Sequence, residues 1–189
     1  MIELPSGVEF NNLIDDLRSF SWDAADILLY YANIIKKLEQ KNEILKNKNN
    51  DDPVTLADLE VNELIINRIN QTYQDTNWEI LSEENFKMQS KYFNNVDWLW
   101  VLDPLDGTKD FIQGTQNYAM HLALNYKRKP YIGIVLIPEK DELWISYEEK
   151  IWCENRGGNI REQKMSKTNI LEDMTLSLIH ISEPTRPYL

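Results

Sequence analysis

Apolar residues recur at three- and four-residue intervals from Leu13 to about Leu38, and this spacing predicts a long amphipathic helix. The lysine- and asparagine-rich stretch from Lys41 to Asp52 predicts a polar loop. A second helix is expected after it, because Thr55 and Asp58 have the spacing of a capping box. The apolar pattern of this second helix consists of Leu59, Leu64, Ile65 and Ile69.

Shorter apolar segments predict strands and one more helix. Glu79 to Ser82 forms a short strand that ends in Glu83 and Glu84, and the run Trp98 to Leu102 suits a strand buried on both faces. Phe111 and Ile112 are assigned to a short helix. Further strands are predicted at about Ala119–Tyr126, Tyr131–Ile137 and Leu143–Tyr147, and near Ile151–Cys153. Helices beside a meander of mostly antiparallel strands predict a layered α+β fold.

Composition narrows the class of protein. The chain has 189 residues, of which 42% are hydrophobic and 27% charged, as in a globular domain rather than a disordered chain. Its net charge of −11 disfavours generic binding to nucleic acid polymers or anionic membranes. The single Cys153 excludes an internal disulfide, and no secretory signal or long apolar run is recognised. We therefore expect a cytoplasmic protein without a membrane span.

Two aspartates follow the apolar run, in the sequence Asp103-Pro-Leu-Asp106-Gly-Thr108. Carboxylates placed together at the end of a strand repel each other unless a cation lies between them, and ligands that are all oxygen favour Mg²⁺. Gly107 lets the backbone approach a ligand closely, and amides beside it can point at an anion. The motif predicts a site for metal and phosphate; the alternative is an ordinary aspartate-rich turn.

The spacing of the two aspartates separates two kinds of phosphatase. A strand ending in Asp-x-Asp-Gly-Thr would resemble the haloacid dehalogenases, whose first aspartate is a covalent nucleophile. Here Asp103 and Asp106 are three residues apart, and Pro104 pushes Asp103 towards an extended conformation. This arrangement favours a rigid turn of ligands over a nucleophile loop.

Three acidic segments, read together, resemble the inositol monophosphatase superfamily of Mg²⁺-dependent, lithium-sensitive phosphatases. The segments are Asp52-Pro-Val-Thr-Leu-Ala-Asp58, Leu81-Ser-Glu83-Glu84 and Asp103-Pro-Leu-Asp106-Gly-Thr108 followed by Lys109-Asp110. Within the superfamily they look most like the 3'(2'),5'-bisphosphate nucleotidases of the CysQ type. The resemblance implies a sandwich like that of inositol monophosphatase and fructose bisphosphatase, of which this chain supplies the N-terminal half.

The resemblance also implies roles for individual residues. Glu83, Asp103 and the carbonyl of Leu105 would bind one Mg²⁺, and Asp103 and Asp106 a second; Asp52 would support a third ion. Glu83 and Thr108, with Asp52, are the expected catalytic residues. The expected substrate contacts come from Asp106, Gly107, Thr108 and Lys109. The implied reaction releases the 3'-phosphate of adenosine 3',5'-bisphosphate.

One motif of the superfamily is missing, and the end of the chain has a different character. A late Trp-Asp-x-Ala motif supplies another metal ligand in that family, but the similar Trp22-Asp23-Ala24-Ala25 stands too early to replace it. Leu176 to Arg186 is similar to a translated sequencing adapter. We therefore expect 1–175 to be an N-terminal α+β metal-binding domain of a sugar or nucleotide phosphatase, 176–189 to be foreign, and the C-terminal α/β half to be absent. The piece is then expected to be inactive or prone to aggregate.

Three alternatives remain open from the sequence. The substrate is a small phosphorylated nucleotide in the leading interpretation, and inositol phosphate or another sugar phosphate in the second. In a third, the acidic turns belong to a cation-binding or interaction domain without catalysis. Formation of a homodimer is also left open. His121 is interpreted as a packed or solvent-facing strand residue rather than a ligand.

Overall fold

A computed structural model describes residues 3–37, 56–85 and 96–164 of the chain. The helices are α1 (Phe10–Lys36), α2 (Leu56–Thr72) and α3 (Thr108–Gln113). The strands are β1 (Glu79–Ser82), β2 (Trp98–Asp106), β3 (Ala119–Tyr126), β4 (Lys129–Ile137), β5 (Glu142–Tyr147), β6 (Lys150–Glu154) and β7 (Ile160–Gln163). The polar stretch 41–52, Thr55, His180 and the proposed tail 176–189 lie outside the described residues.

The two long helices match the predicted ones and pack against each other. On α2 the fully buried apolar residues are spaced four apart, at Ala57, Val61, Ile65 and Ile69. Leu59 was predicted to belong to this stripe, and that prediction is wrong, because it projects away from these positions and is 44% exposed. Asp58 is buried in the first turn of α2. No helix in the described ranges is both long enough and apolar enough to cross a membrane.

The strands of the described residues form one sheet in the order β1 to β7. β1 pairs with β2 in parallel, and every later neighbour is antiparallel, which confirms the layered α+β prediction. The turn between β3 and β4 is tighter than predicted, since Lys127 and Arg128 alone take positive φ there. Strand β7 was not predicted, because its polar sequence Ile-Arg-Glu-Gln carries no apolar run.

The helices cover one face of the sheet. Trp100 and Leu102 of β2 face α1 and α2 in the core, together with alternate residues of β3, β4 and β5. The prediction that Trp98 to Leu102 is buried on both faces is wrong: Val101 on the opposite face is 38% exposed. Within the described residues no second layer packs on that face, so the sheet has one covered and one open face. β2 also continues beyond the predicted end to Asp106.

Candidate metal and phosphate site

A bulge at the end of β2 brings the two aspartates to the same face of the sheet. Asp103 pairs with His121 and Asp106 with Ala119, so three steps along β2 correspond to two along β3. In a regular strand, residues three apart point to opposite faces, and the extra residue removes that difference. Pro104 suits this position, since it has no N–H to donate to the ladder. Both carboxylates therefore lie on the open face.

The backbone within the bulge is fixed by local hydrogen bonds. The Leu105 side chain is 2% exposed in the core, and its N–H donates to Asp103 Oδ1 at 3.2 Å. The Thr108 hydroxyl donates to the Leu105 carbonyl at 3.0 Å, which leaves that carbonyl a further lone pair. Gly107 has φ of 82°, a left-handed conformation that glycine adopts without strain, and α3 begins immediately after it.

Glu83 reaches the same place from the neighbouring strand. Because β1 and β2 are parallel and Ser82 pairs with Leu102, Glu83 follows its strand at the same level as Asp103. The Ser82 hydroxyl is fully buried and donates to Asn62 Oδ1 of α2, which anchors the end of β1 to the helix layer. Glu83 itself is exposed in a 3₁₀ turn. The sequence prediction that these two acidic segments meet is consistent with this register.

The acidic groups disturb each other electrostatically. The pKa of Asp103 is raised from 3.8 to about 7, first by burial and then by the negative charges of Glu83 and Asp106. The N–H of Leu105 stabilises the charged form and opposes this rise. The Asp103 carboxyl therefore holds a proton in a pH range where ordinary aspartates are ionised, unless a cation compensates the negative charge.

A histidine also joins the cluster. His121 lies directly across from Asp103 on β3, and its Nε2 is 3.7 Å from Asp106 Oδ2. One ligand atom from each of Asp103, Asp106 and His121 lies within 4.8 Å of the other two. The interpretation of His121 as an uninvolved strand residue missed this contact. Only the β2–β3 register could have revealed it, and no local motif around His121 encodes that register.

The remaining residues singled out in the sequence are Lys109, Asp110, Asp52 and Asp23. Lys109 is exposed on α3, and Asp110 accepts a hydrogen bond from the Thr115 hydroxyl. Asp52 lies outside the described residues. Asp23, from the early Trp-Asp-Ala-Ala segment, is paired with Arg68 at 2.8 Å, which agrees with its exclusion from the site.

The donor set matches a hard divalent cation. Carboxylates from Glu83, Asp103 and Asp106 and the carbonyl of Leu105 supply oxygen ligands, the type that Mg²⁺ and Ca²⁺ prefer. Their mutual repulsion in the metal-free state is what an ion would relieve. The residues present therefore fit a metal centre at the end of β2.

Comparisons with known proteins point in the same direction. A family model described as the inositol monophosphatase family matches residues 14–187. The 3'(2'),5'-bisphosphate nucleotidase CysQ of Salmonella typhimurium is 26% identical over 179 residues, covering 94% of this chain and 68% of that protein. The chloroplastic bifunctional phosphatase IMPL2 of Arabidopsis thaliana is 32% identical over 121 residues, covering 60% of this chain and 32% of that protein.

A solved structure has the same fold. The crystal structure of CysQ from Bacteroides thetaiotaomicron, described as a bacterial member of the inositol monophosphatase family, superposes with a TM-score of 0.62 at 26% identity. The match covers 85% of this chain and 54% of that one. The chain thus spans about half the length of the solved relative and about a third of the plant phosphatase.

Proposed function

The chain belongs to the inositol monophosphatase family, and we propose that its acidic cluster is the metal centre of a Mg²⁺-dependent phosphomonoesterase acting on adenosine 3',5'-bisphosphate. The observation that carries this proposal is the meeting of Glu83, Asp103 and Asp106: burial, and then the negative charges of Glu83 and Asp106, raise the pKa of Asp103 to about 7. A perturbed carboxyl among other carboxylates is typical of a site that works with a cation. The similarity to CysQ over nearly the whole chain supports the nucleotide substrate.

We assign the proposed ligands to the ions as follows. Glu83, Asp103 and the Leu105 carbonyl would hold one ion, and Asp103 and Asp106 a second. Asp52, outside the described residues, would support a third. When bound, such ions neutralise the charge of the phosphate and lower the pKa of water.

The reaction then needs three tasks from the chain itself. The Thr108 hydroxyl donates to the Leu105 carbonyl and keeps lone pairs to accept a hydrogen bond from the attacking water. Glu83, which interacts with Asp103, takes the proton of that water. As the water oxygen bonds to phosphorus, the bond from phosphorus to the 3' oxygen breaks, and that oxygen takes a proton from solvent to give AMP and phosphate. The amides of Gly107 and Thr108, with Lys109, would bind the phosphate oxygens.

Phosphate release is the direct test of the proposal. The chain and any longer product of its gene would be assayed on adenosine 3',5'-bisphosphate and on inositol 1-phosphate, with Mg²⁺ and with added Li⁺. In a product that includes the family's late Trp-Asp-x-Ala motif, we expect turnover of the nucleotide that Li⁺ inhibits and that Glu83→Gln abolishes. Glu79→Gln, an exposed change at the other end of β1, is the matched control and should retain activity. Retained activity in Glu83→Gln would contradict the mechanism.

A second substrate class has one observation in its favour. The plant relative, a bifunctional phosphatase, is 32% identical over a region of 121 residues, so the similarity of this chain extends beyond the bisphosphate nucleotidases. Faster hydrolysis of inositol 1-phosphate or another sugar phosphate in the assay would select this candidate and reject the nucleotide. Mg²⁺ binding without turnover on any of these esters would favour a non-catalytic cation-binding domain.

A further inference from the structure

We propose that His121 is a direct ligand of the ion held by Asp106 and strengthens the binding of transition-metal ions at this position relative to Mg²⁺. The inference rests on the proposed function in one respect, namely that the acidic cluster binds a divalent cation. It goes further by adding a nitrogen donor to a set otherwise composed of oxygen. The ligand set on the Asp106 side would then be two carboxylates and one imidazole.

The sheet register places His121 for this role. The same bulge that turns Asp106 to the open face leaves His121 directly opposite Asp103, on the same side of β3. His121 Nε2 lies 3.7 Å from Asp106 Oδ2, which is too long for a hydrogen bond but suitable for two ligands of one ion. The three ligand atoms lie within 4.8 Å of one another, so small side-chain movements would bring all of them to one cation.

The cluster borders a groove on the open face of the sheet. Asp103 and His121 line one end of an open groove of about 390 Å³ whose other walls include Val101, Ala123, Val135 and Trp144. The His121 side chain is 40% exposed, so an ion can reach it from solvent.

The chemistry of imidazole defines the expected selectivity. Imidazole binds Co²⁺, Ni²⁺ and Zn²⁺ well, whereas Mg²⁺ prefers carboxylate, carbonyl and water oxygens. Replacing His121 by asparagine keeps a polar side chain with an oxygen atom that can bind a cation, but it removes the imidazole nitrogen that is the proposed ligand. The substitution should therefore weaken Co²⁺ binding much more than Mg²⁺ binding.

The test compares ion binding by calorimetry in the whole chain and in four variants, namely His121→Asn, His180→Asn, Asp106→Asn and Asp103→Asn. His121→Asn should weaken Co²⁺ by about tenfold or more and Mg²⁺ by less than about threefold. His180→Asn is the matched control, since the sequence contains two histidines, and it should leave both affinities unchanged. Asp106→Asn should weaken both ions. Circular dichroism of each variant checks that it is folded.

A spectroscopic readout separates ligation from mere positioning. In the Co²⁺-loaded protein, a ligating His121 should give one strongly shifted, exchangeable imidazole N–H resonance that His121→Asn removes and His180→Asn retains. Absence of that resonance, or equal losses of Co²⁺ and Mg²⁺ affinity in His121→Asn, would overturn the inference alone. Failure of Asp106→Asn and Asp103→Asn to weaken either ion would overturn the metal centre itself, and the inference with it.

Discussion

Replacement of Asp103 by asparagine should stabilise the metal-free protein at alkaline pH while removing its response to Mg²⁺. The native state raises the pKa of Asp103 from 3.8 to about 7. Between these values the folded protein binds more protons than the unfolded chain, so the free energy of unfolding falls as the pH rises. The destabilisation caused by the charge of Asp103 is complete above about pH 7 and absent well below pH 4.

The magnitude follows from the difference between the two pKa values. A difference of about three pH units corresponds to about 4 kcal/mol at 1.36 kcal/mol per unit, which is an upper bound. Asp103 is only half-buried, so solvent screening reduces the cost to about 1–2 kcal/mol. Asparagine cannot ionise and keeps the oxygen that accepts the Leu105 N–H. The free energy of unfolding of Asp103→Asn, minus that of the native chain, should therefore be about 1–2 kcal/mol larger at pH 8 than at pH 4.

Urea unfolding followed by tryptophan fluorescence, in the presence of a chelator, measures this difference across the pH range. Adding Mg²⁺ at about a hundred times its dissociation constant should stabilise the native chain by about 2.7 kcal/mol and Asp103→Asn by much less. Glu79→Gln, on the exposed end of β1, controls for the loss of one negative charge. A difference between Asp103→Asn and the native chain that does not change with pH would refute the electrostatic reasoning.

Three further substitutions test a buried hydrogen bond and two ion pairs of the fold. Ser82→Ala should cost about 1–3 kcal/mol of unfolding free energy in urea titrations, because the buried Asn62 loses its donor; a cost below 0.5 kcal/mol would show that this bond does not anchor β1. Glu154→Gln should cost about 2 kcal/mol, since Glu154 is 5% exposed and its two carboxylate oxygens share the Nε–H of Arg18. Asp23→Asn, in an exposed ion pair, should cost under about 1 kcal/mol of unfolding free energy in the same urea titrations. Equal costs for Asp23→Asn and Glu154→Gln would contradict the role of burial.

Local patterns in the sequence were sufficient for most of the elements. The spacing of apolar residues gave both long helices, and short apolar runs gave most of the strands, because burial against one partner layer produces these periods. Leu59 and the second face of β2 were predicted wrongly for a common reason. An apolar residue can lie on an exposed surface, and only the packing of the neighbouring layer decides which face is covered.

The candidate site shows the same division between local and non-local information. Glu83, Asp103 and Asp106 each follow an apolar run in the sequence, and the resemblance of their segments to one family predicted that they meet. His121 could not be found in this way, since its contact with Asp106 depends on the pairing of β3 with β2 across a bulge. Strand register is set by the whole sheet, and a change of one residue would turn His121 to the helix layer.

The bulge is therefore the feature on which the proposed metal site depends. Asp103 and Asp106 are three residues apart, and an uninterrupted strand would place one of them in the core and the other on the open face. One extra residue in β2 restores a common face, and the buried Leu105 side chain holds the distortion in place. The backbone carbonyl of Leu105 lies beside the carboxylates and accepts a hydrogen bond from the Thr108 hydroxyl. A single irregularity in the ladder thus sets the spacing of the two carboxylates, the position of the backbone oxygen and the turn into α3, which explains how two aspartates three residues apart share one face of the sheet.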